Sequence, residues 1–162
     1  MNVISLLGKK FTVYLAAVLA SYLLASVVAT QHVANALVSM GIGLGARDRL
    51  SMVFSDLLGM SLSLLPMIAF GLLFAFLAAA LLLRLLPGSR PWRRPFLYVL
   101  AGFTALVTIH VAMNLAFGLT PIAVARTNTG LLMQGMAGAV GGYLYLRLGD
   151  AWFPQSPFAI DP

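Results

Sequence analysis

Residues 104–130 read TALVTIHVAMNLAFGLTPIAVARTNTG. The stretch begins inside an apolar run that starts near Phe96, long enough to cross the hydrocarbon core of a bilayer, which takes about 20 apolar residues. His110 and Asn114 lie within that run, and the chain leaves it through Gly118 and Pro121. Arg126 follows, the one Lys, Arg, Asp or Glu between Pro95 and Arg147. Polar side chains in a membrane span are costly to keep and mark candidate sites.

The rest of the composition agrees with this reading. The chain has 162 residues, of which 61% are hydrophobic and 9% charged. Soluble domains carry about 25% charged residues, so no soluble surface can be assembled from this chain. The expected class is an all-α integral membrane protein, a single transmembrane domain over residues 1–149 with an extended tail over 150–162. Four spans are expected, over about 11–33, 64–86, 96–118 and 131–148, since each is a run of the required length.

The N-terminus carries Lys9 and Lys10 before an apolar run, as a signal peptide would, but the run continues far past a signal-peptide core and is read as an uncleaved first span. Gly41, Gly43 and Gly45 then break the helix, and Arg47, Asp48 and Arg49 form a solvated tip. Leu50–Leu65 reads as a weakly amphipathic segment with Ser51, Ser55, Gly59 and Ser63 on one face, expected to lie in the outer interface; its rival is a second span that starts early. Pro66 then falls in the first turn of the second span, where proline is tolerated. Residues 87–95, PGSRPWRRP, are read as non-helical, with Trp92 at headgroup depth.

The net charge of +6 comes from Lys and Arg clustered between apolar runs, which points to anionic lipid and orientation, not to nucleic acid. Lys9, Lys10, Arg84, Arg90, Arg93, Arg94 and Arg147 fall on one side, and Arg47, Arg49 and Arg126 on the other. The expected location is a bacterial-type inner (plasma) membrane, with both termini cytoplasmic.

Small residues recur every fourth position: Ala17, Ser21, Ala25 and Ala29; Met67, Gly71, Ala75 and Ala79; Thr104, Thr108, Ala112 and Ala116; Gly138 and Gly142. Such stripes let helices approach closely in lipid. They predict a tight bundle with small residues left over for a second copy or a larger membrane assembly, and substitutions such as Gly138→Leu would then break that association.

At 1.5 Å per residue, His110 stands about 22 Å and Asn114 about 28 Å above Pro95. His32, Asp56, Arg126 and Gln134 are expected at the same outer level, so these six could converge on a polar pocket that binds a lipid or other amphiphile. The bland alternatives stand beside it: His110 bonded to a helix carbonyl or to Asn114, Asp56 and Arg126 paired or merely solvated, and His32 an interfacial residue. With no cysteine, thiolate metal sites and disulfides are excluded. The two histidines differ in depth by about 10 Å, which disfavours a bis-histidine haem. Met40, Met52, Met60 and Met113 do not repeat as a Cu(I) motif would. No cofactor is expected.

No nucleophile elbow, HExxH, P-loop or dinucleotide fingerprint occurs. The cytoplasmic halves of the spans are too apolar to line a permanent pore. The reading is therefore non-enzymatic, an amphiphile-binding protein or a subunit of a membrane assembly with membrane lipids as partners. The alternative is an enzyme or carrier working through His110 with Asp56 and Arg126.

Overall fold

The computed structural model describes residues 3–86, 90–117 and 123–152. Its elements are α1 (Val3–Ser39), α2 (Ala46–Gly59), α3 (Leu64–Leu85), α4 (Arg93–Phe117), a 3-10 turn (Ala123–Arg126) and α5 (Asn128–Trp152). No strand occurs among the described residues. Three helical segments are long and apolar enough to cross a membrane: Leu7–Ser39, Leu64–Leu85 and Arg93–Ala116. α5 has the length but is diluted by Gln134, glycines and tyrosines, and is not among them.

α1 is one unbroken helix because neither Gly nor Pro occurs between Lys9 and Met40. Its 37 residues span about 55 Å, well beyond the 11–33 expected. It stops where Gly41 takes φ +87. There Ile42 N–H bonds Leu37 O at 3.1 Å and Gly41 N–H bonds Val38 O at 3.0 Å, the paired bonds of a Schellman cap.

Further boundaries, at both ends of α2, at the start of α4 and at both ends of α5, differ from expectation. Arg47, Asp48 and Arg49 are not a loop tip but the first turn of α2, because the Asp48 carboxylate accepts the Gly45 N–H at 2.9 Å. α2 also ends early, at Gly59, so the expected 50–65 segment is a helix followed by a turn over 60–63. Arg93, Arg94 and Pro95, expected outside helix, begin α4; proline at the third helical position needs no intrahelical donor. Arg93 Nη2 donates to Leu86 O at 2.8 Å across the connection, whose residues 87–89 lie outside the described set.

α5 begins at Asn128, capped by the Thr127 hydroxyl oxygen, which accepts Gly130 N–H at 3.0 Å. It continues past the expected end at 148, so Asp150 is helical and not part of an extended tail. There Asp150 pairs with Arg94 at 2.6 Å, anchoring α5 to the start of α4. Gly118, Pro121 and residues 153–162 lie outside the described residues.

The four long helices form a ring in the order α1, α3, α4, α5, with α5 packed on α1 and α4. α4 and α5 run antiparallel, with backbone on backbone at two glycines and the side chains of Phe103 and Leu106 against the glycines of α5. A Cβ on Gly138 would overlap the Gly102 carbonyl, and one on Gly142 the Tyr98 carbonyl. On the other flank of α5, a Cβ on Gly141 would strike Ser21 Oγ. The α1 stripe Ala17, Ser21, Ala25 and Ala29 is buried. Such close backbone contact supplies dispersion and Cα–H···O contacts where lipid removes any hydrophobic drive. Gly138 and Gly142, expected to be in part available to a partner, are thus taken up inside the chain. At the basic end, Phe76, Tyr98 and Tyr145 join α3, α4 and α5, with centroids 4.5 Å apart for Phe76 and Tyr145 and 5.8 Å for Phe76 and Tyr98.

Candidate functional site

The six residues expected to share a pocket divide into separate environments. Two meet in the interior. Gln134, on α5, is fully buried, and its Nε2 donates to Ala25 O of α1 at 3.0 Å. His110, on α4, is 3% exposed and lies within interaction range of the Gln134 side chain. The geometry stops short of a full hydrogen bond, for His110 Nδ1 and Gln134 Oε1 are both buried without a partner. Ser21 Oγ and Ser26 Oγ on α1 share that condition. This polar junction therefore joins α1, α4 and α5.

Asp56 belongs to a second network that fastens α2 to α1. Its Oδ2 accepts from Thr30 Oγ1 at 2.7 Å, and the same hydroxyl lies 3.0 Å from Ser26 O. Arg49 Nη1 donates to Gln31 Oε1 at 2.8 Å and to Asn35 Oδ1 at 3.0 Å. The Tyr22 hydroxyl donates to Leu57 O. These bonds explain how a helix with no buried residue stays in place. Asp56 is held by Thr30, and the one ion pair among the described residues is Arg94 with Asp150.

The remaining residues do not join the junction. His32 is partly buried on α1, Asn114 is exposed one turn beyond His110, and Arg126 is exposed at the end of the 3-10 turn. Among the described residues, no three His, Asp or Glu side chains gather as metal ligands would.

A large cavity among the described residues lies elsewhere and contains none of the six. It is a groove of about 670 Å³ between α3 and α4. Its lining includes Gly71 and Ala75 from α3 and Ala105, Thr108 and Ala112 from α4. Phe70 and Phe74, 64% and 68% exposed, contribute on the α3 side. The Thr104 hydroxyl, turned back on Leu100 O at 2.9 Å, leaves little polarity in the lining. A second cavity of about 170 Å³ shares Ala75 and Thr104 with the first and continues to Leu82 and Leu97. One groove thus runs along most of α3 and α4.

Sequence reasoning found the small faces but not which of them a neighbouring helix would cover. The α4 stripe Thr104, Thr108, Ala112 and Ala116 is exposed and lines the groove. Its tight contact with α5 uses Tyr98, Gly102 and Leu106 instead. Thr30 and Ser26 were also missed, although their four-residue spacing on α1 marks a polar patch. Compared with protein families, curated proteins and solved structures, the chain matches none.

Proposed function

We propose that the chain is a non-enzymatic inner-membrane protein that holds a lipid or other amphiphile, with the apolar part lying in the α3–α4 groove. The observation that carries this reading is the groove itself, an apolar channel flanked by exposed phenylalanines on the lipid-facing side of the bundle. Two of the polar side chains expected in a pocket already have partners on α1. Gln134 ties α5 to α1, and Asp56 ties α2 to α1. Catalysis through His110 with Asp56 and Arg126 has less support, because His110 is enclosed and Asp56 is already bonded.

In the same reading α5 crosses as a fourth span, because it runs antiparallel to α4 from Tyr98–Gly142 to His110–Gln134. Both termini are then cytoplasmic, by the excess of basic residues at that end, and α2 lies in the outer interface. Native mass spectrometry of protein extracted in mild detergent tests the binding. The expected spectrum shows the chain with a discrete amphiphile mass, retained by a folded His110→Ala variant. A wild-type chain bare of any lipid, or one found only with another polypeptide, overturns it.

Topology has its own test. Thr129→Cys should react with an impermeant thiol reagent on intact cells, and Gly149→Cys should not. Reaction at both positions would mean that α5 does not cross.

A further inference from the structure

The groove is not uniform along its length, and its two ends differ in charge. At the end nearest Leu82 and Leu97, α4 places Arg93 one turn before Leu97. Residues 93, 97, 100 and 104 are spaced by four, three and four, so they share one helix face. Leu97, Leu100 and Thr104 line the groove. Arg93 therefore stands at its foot on the same face, where one guanidinium nitrogen, Nη2, donates to the O of Leu86, the C-cap residue of α3, at 2.8 Å. Arg90, three residues earlier, is exposed beside it. Trp92 and Phe96 meet edge-on on the neighbouring face, with centroids 5.8 Å apart, where an amphipathic ring marks the headgroup level. Neither lining itself holds a cation, and at the opposite end no Lys or Arg falls within four residues of Met67 or Ala116 in the sequence.

An apolar trough that ends on two arginines at headgroup depth has the chemistry of one molecule: an acyl chain joined to an anionic headgroup. We infer that the α3–α4 groove is a site for an anionic glycerophospholipid of the leaflet at the basic end, with one acyl chain laid along Ala75, Ala101 and Thr104 and the phosphate facing Arg90 and Arg93. This deepens the amphiphile-binding reading and rests on it. Charge complementarity selects the lipid over a second copy of the chain, which would bring its own arginines to the same rim when packed in parallel. The groove measures about 22 Å along α3 from Met67 to Leu82, at 1.5 Å per residue, enough for most of one chain in a core about 30 Å thick.

The test uses the full chain in mild detergent, titrated with dioleoyl phosphatidylglycerol or dioleoyl phosphatidylcholine and read by native mass spectrometry. Wild type should retain one phosphatidylglycerol in preference to phosphatidylcholine. A basic residue near the membrane surface contributes about fivefold to anionic-lipid binding, so Arg90→Gln and Arg93→Gln should each lower the preference by about that factor. Arg147→Gln, at the same end but on α5, should leave it unchanged. Thr104→Trp fills the groove at one of the two residues both cavities share and should remove retention of both lipids. Val111→Trp adds the same bulk to an exposed position outside the groove and should have no effect. Equal retention of the two lipids by wild type overturns the inference while leaving amphiphile binding in the groove in place, whereas unchanged binding in Thr104→Trp overturns it together with the groove as the binding site. A homodimer that Thr104→Trp dissolves overturns it in favour of a second copy. A wild-type chain that retains no lipid at all removes the parent reading as well.

Discussion

α4 presents two unlike flanks. Toward α5 it is a surface with few side chains, where Gly102 meets Gly138 and Gly142 lies on the Tyr98 carbonyl. Toward α3 it is a surface of equally small residues that opens into a groove of about 670 Å³. Small residues alone therefore do not decide whether two helices close. What differs is the partner. α5 answers with glycine, so the backbones meet. α3 brings Phe70 and Phe74 beside its small residues, and Ile109 fills the space over Gly71, where a Cβ would come within 2.7 Å of Ile109 Cδ1. Small against small makes a seam, and small against large makes a trough.

The sharpest way to break this contrast is to add bulk to both flanks. Gly138→Leu should cost about 4 kcal/mol or more, since the overlap is with backbone that cannot move aside. It is expected to appear as loss of monodisperse protein on size exclusion. Thr104→Leu, two residues beyond Gly102 on α4 but in the groove, should change the melting free energy by no more than about 0.5 kcal/mol. Similar losses from both would erase the distinction between seam and trough.

A smaller effect sharpens the seam itself. Gln134→Ala removes the bond to Ala25 O and leaves a hole among three helices, and should cost about 2–3 kcal/mol in thermal melts. Combined with His110→Ala in a double-mutant cycle, it should show coupling of about 0.5 kcal/mol or more, because the two side chains face each other. Strict additivity would separate His110 from the junction.

The smallest effect concerns the periphery. Asp56→Ala should cost about 1 kcal/mol, the net worth of one hydrogen bond. Its signature should be faster hydrogen exchange confined to residues 46–59, with the four long helices unchanged.

Much of this fold was legible in the chain. Runs of apolar residues located α1, α3 and α4, and Gly41 located the end of α1. The ends that were misread turned on single polar contacts, two of them local, Asp48 to Gly45 and Thr127 to Gly130, and one between helices distant in sequence, Arg94 to Asp150. Periodicity carries no information about such bonds. The candidate site was less legible. Depth arithmetic put His110 and Gln134 at one level, and they do meet. It gave no azimuth, so it could not tell that Asn114 turns outward or that Asp56 would be taken by Thr30. The groove was invisible for the same reason, because a stripe of small residues reads alike whether a neighbour covers it or not.

The glycine surface of α5 has a consequence for how the protein is made. On the four-span reading, a helix carrying Gln134 and glycines at 135, 138, 141 and 142 has weak affinity for lipid by its own composition. α1, α3 and α4 can each enter the bilayer as soon as they are synthesised. α5 is synthesised after them and gains a favourable environment only when α1 and α4 are already there to receive its glycine faces. Its integration is then an act of assembly, and substitutions at Gly102 or Ser21, outside α5 in sequence, should act on the biosynthesis of α5 as well as on the stability of the bundle.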